Sequence, residues 1–336
     1  MNKRCSGCGV LLQYDKPELE GYVEHNICEK SKICRRCFRL RFYGDYIFVN
    51  KSHEEYENIL NQISRTGDLV VYMVDMFDIS DELINVDNLL DNPLILVLTK
   101  RDLLPKSVKE NKIFKHIKTY NLDIIDMISI SSEKNYNLDK LYKMIMKHKK
   151  SNNVYIVGNT NAGKSSFINK MIKNYSNNKV FITTSMLPTT TLDLMEIKIN
   201  DKLTIVDTPG LVEEGNIVNS YDYMLLKKIL PKKEVKPRTY QIMSNSSLLI
   251  EDLVRVDYIK GERNSFTLYL SNELEVNSVK INPIIKVRNF KRHSFEVNSG
   301  EDIVISGLGW IKIVNKAVVE VFVNENVKVY KRESII

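Results

Sequence analysis

The run Gly158-Asn-Thr-Asn-Ala-Gly163-Lys164-Ser165 fits the pattern G-x-x-x-x-G-K-S, a spacing suited to holding phosphate. Its glycines let the backbone curl until successive N–H groups face phosphate oxygens. In this reading Asn159, Asn161, Ala162, Gly163 and Ser166 belong to the cradle. Lys164 reaches the β- and γ-phosphates as the catalytic cation, and the Ser165 hydroxyl binds Mg²⁺. A chance match is the bland alternative. The flanks argue against it: Val154–Val157 reads as a buried strand, and Phe167, Ile168, Met171 and Ile172 recur at helical spacing.

Two further motifs follow the loop. Leu203–Val206 is a short apolar strand running into Asp207-Thr-Pro-Gly210. An acidic residue at that strand end holds Mg²⁺ through water, and the Gly210 N–H can approach the γ-phosphate. Between them lies Pro188-Thr-Thr-Thr191, before a predicted strand Leu192–Ile199 and a turn at Asn200-Asp201. One of those threonines completes the Mg²⁺ shell and senses the γ-phosphate.

Base selection reads upstream. The apolar strand Leu94–Leu98 leads into Thr99-Lys100-Arg101-Asp102. A carboxylate at Asp102 accepts hydrogen bonds from guanine N1–H and the 2-amino group; adenine presents a lone pair at N1 and is repelled. The strand Met127–Ile130 leads into Ser131-Ser132-Glu133-Lys134, where a serine and a backbone N–H would meet guanine O6. Both motifs are weak alone. Each gains from sitting at the end of an apolar strand, where ligands meet open α/β sheets.

The cysteines suggest a metal. Cys5-Ser-Gly-Cys8 and Cys34-Arg-Arg-Cys37 form two C-x-x-C turns, and four thiolates make a tetrahedral zinc site. A segment this short lacks an adequate core, so metal would staple it. A redox dithiol needs only one pair, and disulfides suit a secreted chain. Cys28 is left over and reads as a bystander. No acidic residue interrupts the six basic ones between Lys30 and Arg41, a plausible phosphate-contacting surface.

Composition sets the bounds. The 336 residues are 43% hydrophobic and 27% charged, the profile of a soluble globular protein of two or three domains. No apolar run approaches a membrane span, and Cys5 and Cys8 sit where a signal peptide would be apolar. The net charge of +7 is uneven: +3 over residues 1–50, −2 over 51–226 and +6 over 227–336. Basic ends suggest contact with polyanions, against a bland reading of solvated surface lysine.

Motif order distinguishes the chain from ordinary small GTPases, in which the phosphate loop comes first. Here Thr99–Asp102 and Ser131–Lys134 precede Gly158–Ser165 and Asp207–Gly210, with His148–Asn153 as the joining linker. This resembles a circularly permuted P-loop GTPase, and within that group the YqeH family of ribosome-assembly GTPases. The resemblance rests on the four paired cysteines, the motif order, Val70–Asp75 with Phe77-Asp78, and the G-N-T-N-A-G-K-S loop. It also rests on Pro237-Arg-Thr-Tyr-Gln241, Arg255-Val-Asp-Tyr-Ile-Lys-Gly261 and Ser306-Gly-Leu-Gly-Trp310. It implies a GTPase with GTP or GDP and Mg²⁺, acting in maturation of the small (30S) ribosomal subunit and touching its rRNA. The implied compartment is the bacterial-type cytoplasm, with an organellar version left open, and no membrane partner.

Departures from the family pattern carry their own expectations. Thr99 stands where Asn is usual, which puts the brace between the guanine motif and the phosphate loop in doubt. Thr189 replaces a glycine, so Thr191 aligns as the Mg²⁺ threonine, with Thr190 second. Glu133 stands where a small residue is common. Leu211 stands where Ras-type enzymes carry a water-orienting Gln. Relatives with a hydrophobic residue there look cation-assisted, and Asn161 matches their K⁺-holding residue; the plain reading is a loop cap.

The expected architecture is α/β with three parts: a zinc-binding module over 1–45, a permuted GTPase domain over 46–226, and a C-terminal β-rich α+β domain over 227–336. In the last, Ser265–Leu270, Asp302–Ile305, Ile311–Val314 and Ala317–Val323 read as strands. Lys286-Val-Arg-Asn-Phe-Lys-Arg-His293 is either an RNA-facing patch or a solvated loop. Tyr258 and Trp310 read as core. The competing function is a nucleic-acid-binding adaptor that holds nucleotide but hardly turns it over.

Overall fold

The computed structural model describes residues 3–6, 10–17, 21–27, 29–35, 37–38, 50–51, 53–176, 181–186, 193–211, 213–221, 223–282 and 290–336. The chain divides into two compact units. The first comprises Met1–Arg101 and Tyr120–Glu213, the second Asp102–Thr119 and Glu214–Ile336. These units cut across the three expected segments. Residues 102–119 and 214–226 group with the C-terminal part, where the Leu103 carbonyl accepts the Val235 N–H at 2.8 Å and a Glu234 carboxylate oxygen accepts the Lys106 N–H at 3.2 Å.

In the first unit, short strand β1 (Asn50–Lys51) and helix α1 (His53–Ser64) precede β2 (Leu69–Asp75), α2 (Glu82–Asn88) and β3 (Leu94–Thr99). Helix α3 (Glu110–Lys118) belongs to the second unit. Then come β4 (Asp126–Ser129), α4 (Leu138–His148), β5 (Asn153–Gly158), α5 (Lys164–Tyr175), β6 (Phe181–Met186), β7 (Asp193–Asn200), β8 (Leu203–Asp207) and β9 (Gly210–Leu211). A seven-stranded sheet has the order β4-β3-β2-β5-β8-β7-β6. Its first five members are parallel, and β7 and β6 run antiparallel. β9 pairs with β1 in parallel.

Strands β2, β3 and β5 are buried along almost their whole length, which is why each reads as an unbroken apolar run rather than an alternation. Alternate residues Leu69, Val71 and Met73, with Ile95, Val97, Val154 and Ile156, share one core with Leu138, Leu141 and Ile145 of α4 and Phe167, Ile168 and Met171 of α5. Cys5, Leu12, Val23, Cys34 and Cys37 belong to the same core, so the cysteine segment packs as part of this unit.

Boundaries shift slightly from the sequence reading. β7 is displaced by one residue from Leu192–Ile199, and the turn into β8 falls on Asp201 and Lys202 because Asn200 pairs with Leu203 across an irregularity in register. β4 closes at Ser129, although Ile130 still donates its N–H to the Leu98 carbonyl at 2.8 Å.

The second unit carries helix α6 (Tyr223–Ile229) and ten strands among the described residues: β10 (Arg238–Ile242), β11 (Ser246–Ile250), β12 (Val254–Lys260), β13 (Asn264–Leu270), β14 (Val276–Lys280), β15 (Phe290–Val297), β16 (Glu301–Ile305), β17 (Gly309–Ile313), β18 (Ala317–Asn324) and β19 (Val329–Glu333). They form two antiparallel sheets, β10-β13-β17-β16-β19 and β14-β11-β12-β18-β15. The four strands read from the sequence are β13, β16, β17 and β18.

Trp310 and Tyr258 are core residues, both fully buried. Trp310 stacks on Tyr269 with ring centroids 5.0 Å apart. Arg255 and Asp257, two apart on β12, form a buried pair through Arg255 Nε and Nη2 at 2.7 and 2.6 Å, and Ser247 Oγ donates to the same carboxylate. The Arg255–Gly261 segment is therefore built around this buried pair. In Ser306–Trp310, Gly307 has φ +76°, and a Cβ there would lie 1.9 Å from the Asn216 side-chain oxygen. That turn seats the segment after Glu213: Ile217 donates its N–H to the Ser306 carbonyl at 3.0 Å, and Lys328 donates to the Gly215 carbonyl at 2.8 Å.

Candidate functional site

Each motif loop leaves the carboxyl end of a parallel strand: Thr99–Asp102 after β3, Ser131–Lys134 after β4, the phosphate loop after β5, and Asp207–Gly210 after β8. Parallel pairing puts those ends on one side of the sheet, the usual ligand edge of an open α/β fold.

The phosphate loop begins at Gly158, whose φ is +151°; a Cβ there would meet the Met73 carbonyl oxygen at 2.3 Å, so β5 can approach β2 only with glycine. The loop closes with the Ala162 N–H donating to the Asn159 carbonyl at 3.2 Å. Asn161 takes the left-handed region at φ 62° and is exposed. Gly163 caps α5, at whose first turn Lys164, Ser165 and Ser166 stand.

Lys164 is 2% exposed. Its ammonium donates to the Gly158 carbonyl and, at 3.0 Å, to the Asn159 carbonyl. Burial pushes it well below the usual lysine range. An ammonium folded onto its own loop's carbonyls at the first turn of α5 is a donor that a phosphate chain fits.

The Thr99–Asp102 segment touches this loop. Thr99 Oγ1 lies 2.7 Å from the Ala162 carbonyl and 3.1 Å from the Val74 carbonyl, so its proton goes to the nearer oxygen. The brace that Asn usually provides, in doubt from sequence, is present: Thr99 makes it with a shorter side chain because its Cα lies at the last residue of β3. Lys100, at φ 60°, places its ammonium 2.6 Å from Asp75 at the end of β2. Asp102 sits in the 3-10 turn Arg101–Leu103 directly after β3.

Arg101 donates its N–H to the Ile130 carbonyl at 3.1 Å, which links the two base motifs. Ser131 is buried, its hydroxyl accepts the Lys134 N–H at 3.0 Å, and its backbone exchanges hydrogen bonds with Tyr136. Ser132 follows in the same tight loop. Asp207 is buried at the end of β8, where Thr208 donates both its N–H and its hydroxyl to the Ile156 carbonyl. Thr191, with Thr189 and Thr190, lies outside the described residues, as do Cys8, Cys28 and 286–289.

Sequence reasoning missed Glu213. Its carboxylate accepts from Asn159 Nδ2 at 2.9 Å and from Ser80 Oγ at 3.0 Å. Burial first, then the charges of Asp78 and Glu82, push it up to about 8. Nothing in a three-residue offset from Gly210 signals such a contact.

Among the described residues Cys5, Cys34 and Cys37 are buried, and their sulfurs lie within 4.8 Å of one another. No disulfide joins these three cysteines to one another. The Cys34 N–H donates to Cys5 Sγ at 3.1 Å. Three converging sulfurs, one already accepting a backbone N–H, fit a zinc ion.

The family profile described as "50S ribosome-binding GTPase" matches residues 153–263, and that described as "YqeH-like, C-terminal" matches 283–335. The first begins at β5 and excludes β3 and β4 with the loops that follow them. The chain is 33% identical to the uncharacterized protein YqeH of Bacillus subtilis over 99% of each sequence. It is 28% identical to NO-associated protein 1, chloroplastic/mitochondrial, of Arabidopsis thaliana, covering 92% of this chain and 69% of that one. It is 21% identical to the tRNA modification GTPase MnmE of Mycoplasma mycoides over 58% of this chain and 46% of that one.

Thr99→Val keeps the shape of the brace and removes its proton. The buried Ala162 carbonyl then loses its partner, which costs about 1–3 kcal/mol. That loss should lower the melting temperature by several degrees, and titration with GDP is expected to show weakened affinity because the loop is no longer braced to β3. Unchanged affinity would show that the Thr99 hydroxyl does not hold the loop.

Proposed function

The chain belongs to the YqeH family and is a GTP hydrolase; from that premise we propose that it works as a nucleotide switch in assembly of the small ribosomal subunit. In this reading residues 1–45 hold zinc, 46–226 handle nucleotide, and 227–336 face rRNA, in a bacterial-type cytoplasm. Among the described residues no helix is long and apolar enough to cross a membrane.

The nucleotide roles follow the loops. Asp102 selects guanine, with Thr99, Lys100, Ser131 and Ser132 around the base. Asn159, Ala162, Gly163 and Ser166 line the phosphates. Ser165, Asp207 and Thr191 would hold Mg²⁺, which would neutralise phosphate charge. Lys164 leaves its loop carbonyls for the phosphate oxygens, and the Gly210 N–H meets the γ-phosphate. Leu211 has no group to orient water; Asn161 would hold a K⁺, which would supply positive charge beside the phosphates. Hydrolysis is expected to run faster in K⁺ than in Na⁺ at fixed ionic strength; equal rates would remove the cation from the account.

One observation carries the switch. Immediately after Gly210, the backbone at Gly215 and Ile217 is held by Lys328 and Ser306 of the C-terminal unit. A segment that responds to the γ-phosphate therefore continues within a few residues into structure that can answer it. Lys291 and Arg292 are exposed on β15, an edge strand, and suit an RNA backbone.

The zinc proposal expects about one zinc per chain by elemental analysis, released by Cys34→Ser; metal-free protein as purified would contradict it. The switch is tested by cosedimentation of the full chain with isolated ribosomal subunits, under GDP and under a non-hydrolysable GTP analogue. Salt-sensitive binding to the small subunit, tighter with the analogue, is expected. Binding to the large subunit alone, or equally in both nucleotide states, would overturn it.

A further inference from the structure

Glu213 lies outside every motif that the established activity uses, yet it touches the phosphate loop. It sits three residues past Gly210, in the segment that leaves β9. One carboxylate oxygen accepts from Asn159 Nδ2 at 2.9 Å, and the other accepts from Ser80 Oγ at 3.0 Å. Ser80 is almost fully buried in the loop between β2 and α2. Asn159 is in turn the residue whose carbonyl receives the Lys164 ammonium at 3.0 Å and the Ala162 N–H at 3.2 Å. A chain of contacts thus runs from Glu213 through Asn159 to the lysine that must meet the phosphates.

We propose that Glu213 is a positioning residue for GTP hydrolysis, fastening the segment beyond Gly210 to the phosphate loop through Asn159. Leu211 offers no polar group, so this contact does part of the geometric work that a residue next to Gly210 does in other GTPases. It sets where Gly210 and Lys164 stand relative to each other. Misplacement of reacting groups by about 1 Å costs on the order of 100-fold in rate, so a contact of this kind acts on turnover more than on binding. The inference rests on the nucleotide reading of this site.

The surroundings say which form of the side chain does this. Asp78, Glu82 and Tyr72 face it, none of them a cation, and Ser80 and Asn159 supply the polar contacts. Burial and the two acidic neighbours favour the neutral acid at pH 7. An amide is the closest mimic of that form. The Asn159 side-chain oxygen is buried with no partner among the described residues, so an Asn159 turned over could accept from a glutamine there.

The test is steady-state GTP hydrolysis by the full chain, with GDP affinity and melting temperature measured alongside. Glu213→Ala is expected to lower kcat about tenfold or more while KM and the GDP affinity stay within about threefold. Asn159→Ala should give a similar loss, and the double variant should be no worse than the poorer single one, because both break one chain of contacts. Glu213→Gln should stay within about twofold of the parent. Unchanged kcat in Glu213→Ala, multiplied losses in the double variant, or a rise in KM and a fall in GDP affinity that match the loss in kcat would overturn the proposal. If Glu213→Ala does not fold, Asn159→Ala and Glu213→Gln decide: loss in the first with retention in the second supports it, and any other pairing sinks it. A parent chain that binds no guanine nucleotide would instead sink the site reading itself.

Discussion

The nucleotide site depends on the parallel pairing of β2 and β8 to either side of β5. That pairing fixes where every loop begins. It brings β2 so close that Gly158 has room for no side chain, and it sets the Ile156 carbonyl where Thr208 can donate to it twice. Across the sheet, the spatial order β4, β3, β2, β5, β8 also sets the order of chemistry. The Thr99–Asp102 and Ser131–Lys134 loops stand at one side, Gly158–Ser165 in the middle, and Asp207–Gly210 at the other.

That spatial order explains why the chain tolerates having its motifs in permuted sequence. A site assembled from strand ends needs the strands as neighbours, not as successors along the chain. The two base loops are tied by Arg101 to Ile130, and the guanine motif is tied to the cradle by Thr99 to Ala162. Each tie is a single hydrogen bond between adjacent loops. Neither depends on which strand the ribosome makes first. What the permutation changes is the exit: the Asp207–Gly210 turn now feeds Gly215 and Ile217, which belong to the second unit.

Legibility followed burial. Strands β2, β3 and β5 are covered on both faces, so their apolar runs were plain in the sequence, and the motifs at their ends came with them. In the second unit the four strands read from sequence are interior members of the two sheets, while all four edge strands, β10, β19, β14 and β15, were passed over. Edge strands such as β15 expose Lys291, Arg292 and Glu296, which blurs the alternation that marks a strand. The interior strands β11 and β12 were missed for another reason: Ser247, Arg255 and Asp257 are buried polar residues satisfied by one another, a pattern that looks exposed from sequence. Glu213 escaped for the same reason, since its partners lie 54 and 133 residues away. The Thr99 brace escaped because a hydroxyl reaching a carbonyl has no signature beyond the residue itself.

Lys164 rests on its own loop's carbonyls, in a loop that the Thr99 hydroxyl already joins to the end of β3. The most direct test is isothermal titration of the full chain, in Mg²⁺, with GDP, a non-hydrolysable GTP analogue and ADP. One guanine nucleotide should bind per chain in either phosphorylation state, with no detectable heat from ADP at the same concentrations. Binding of ADP as tight as GDP, or no binding of either, would contradict a guanine site at this edge of the sheet.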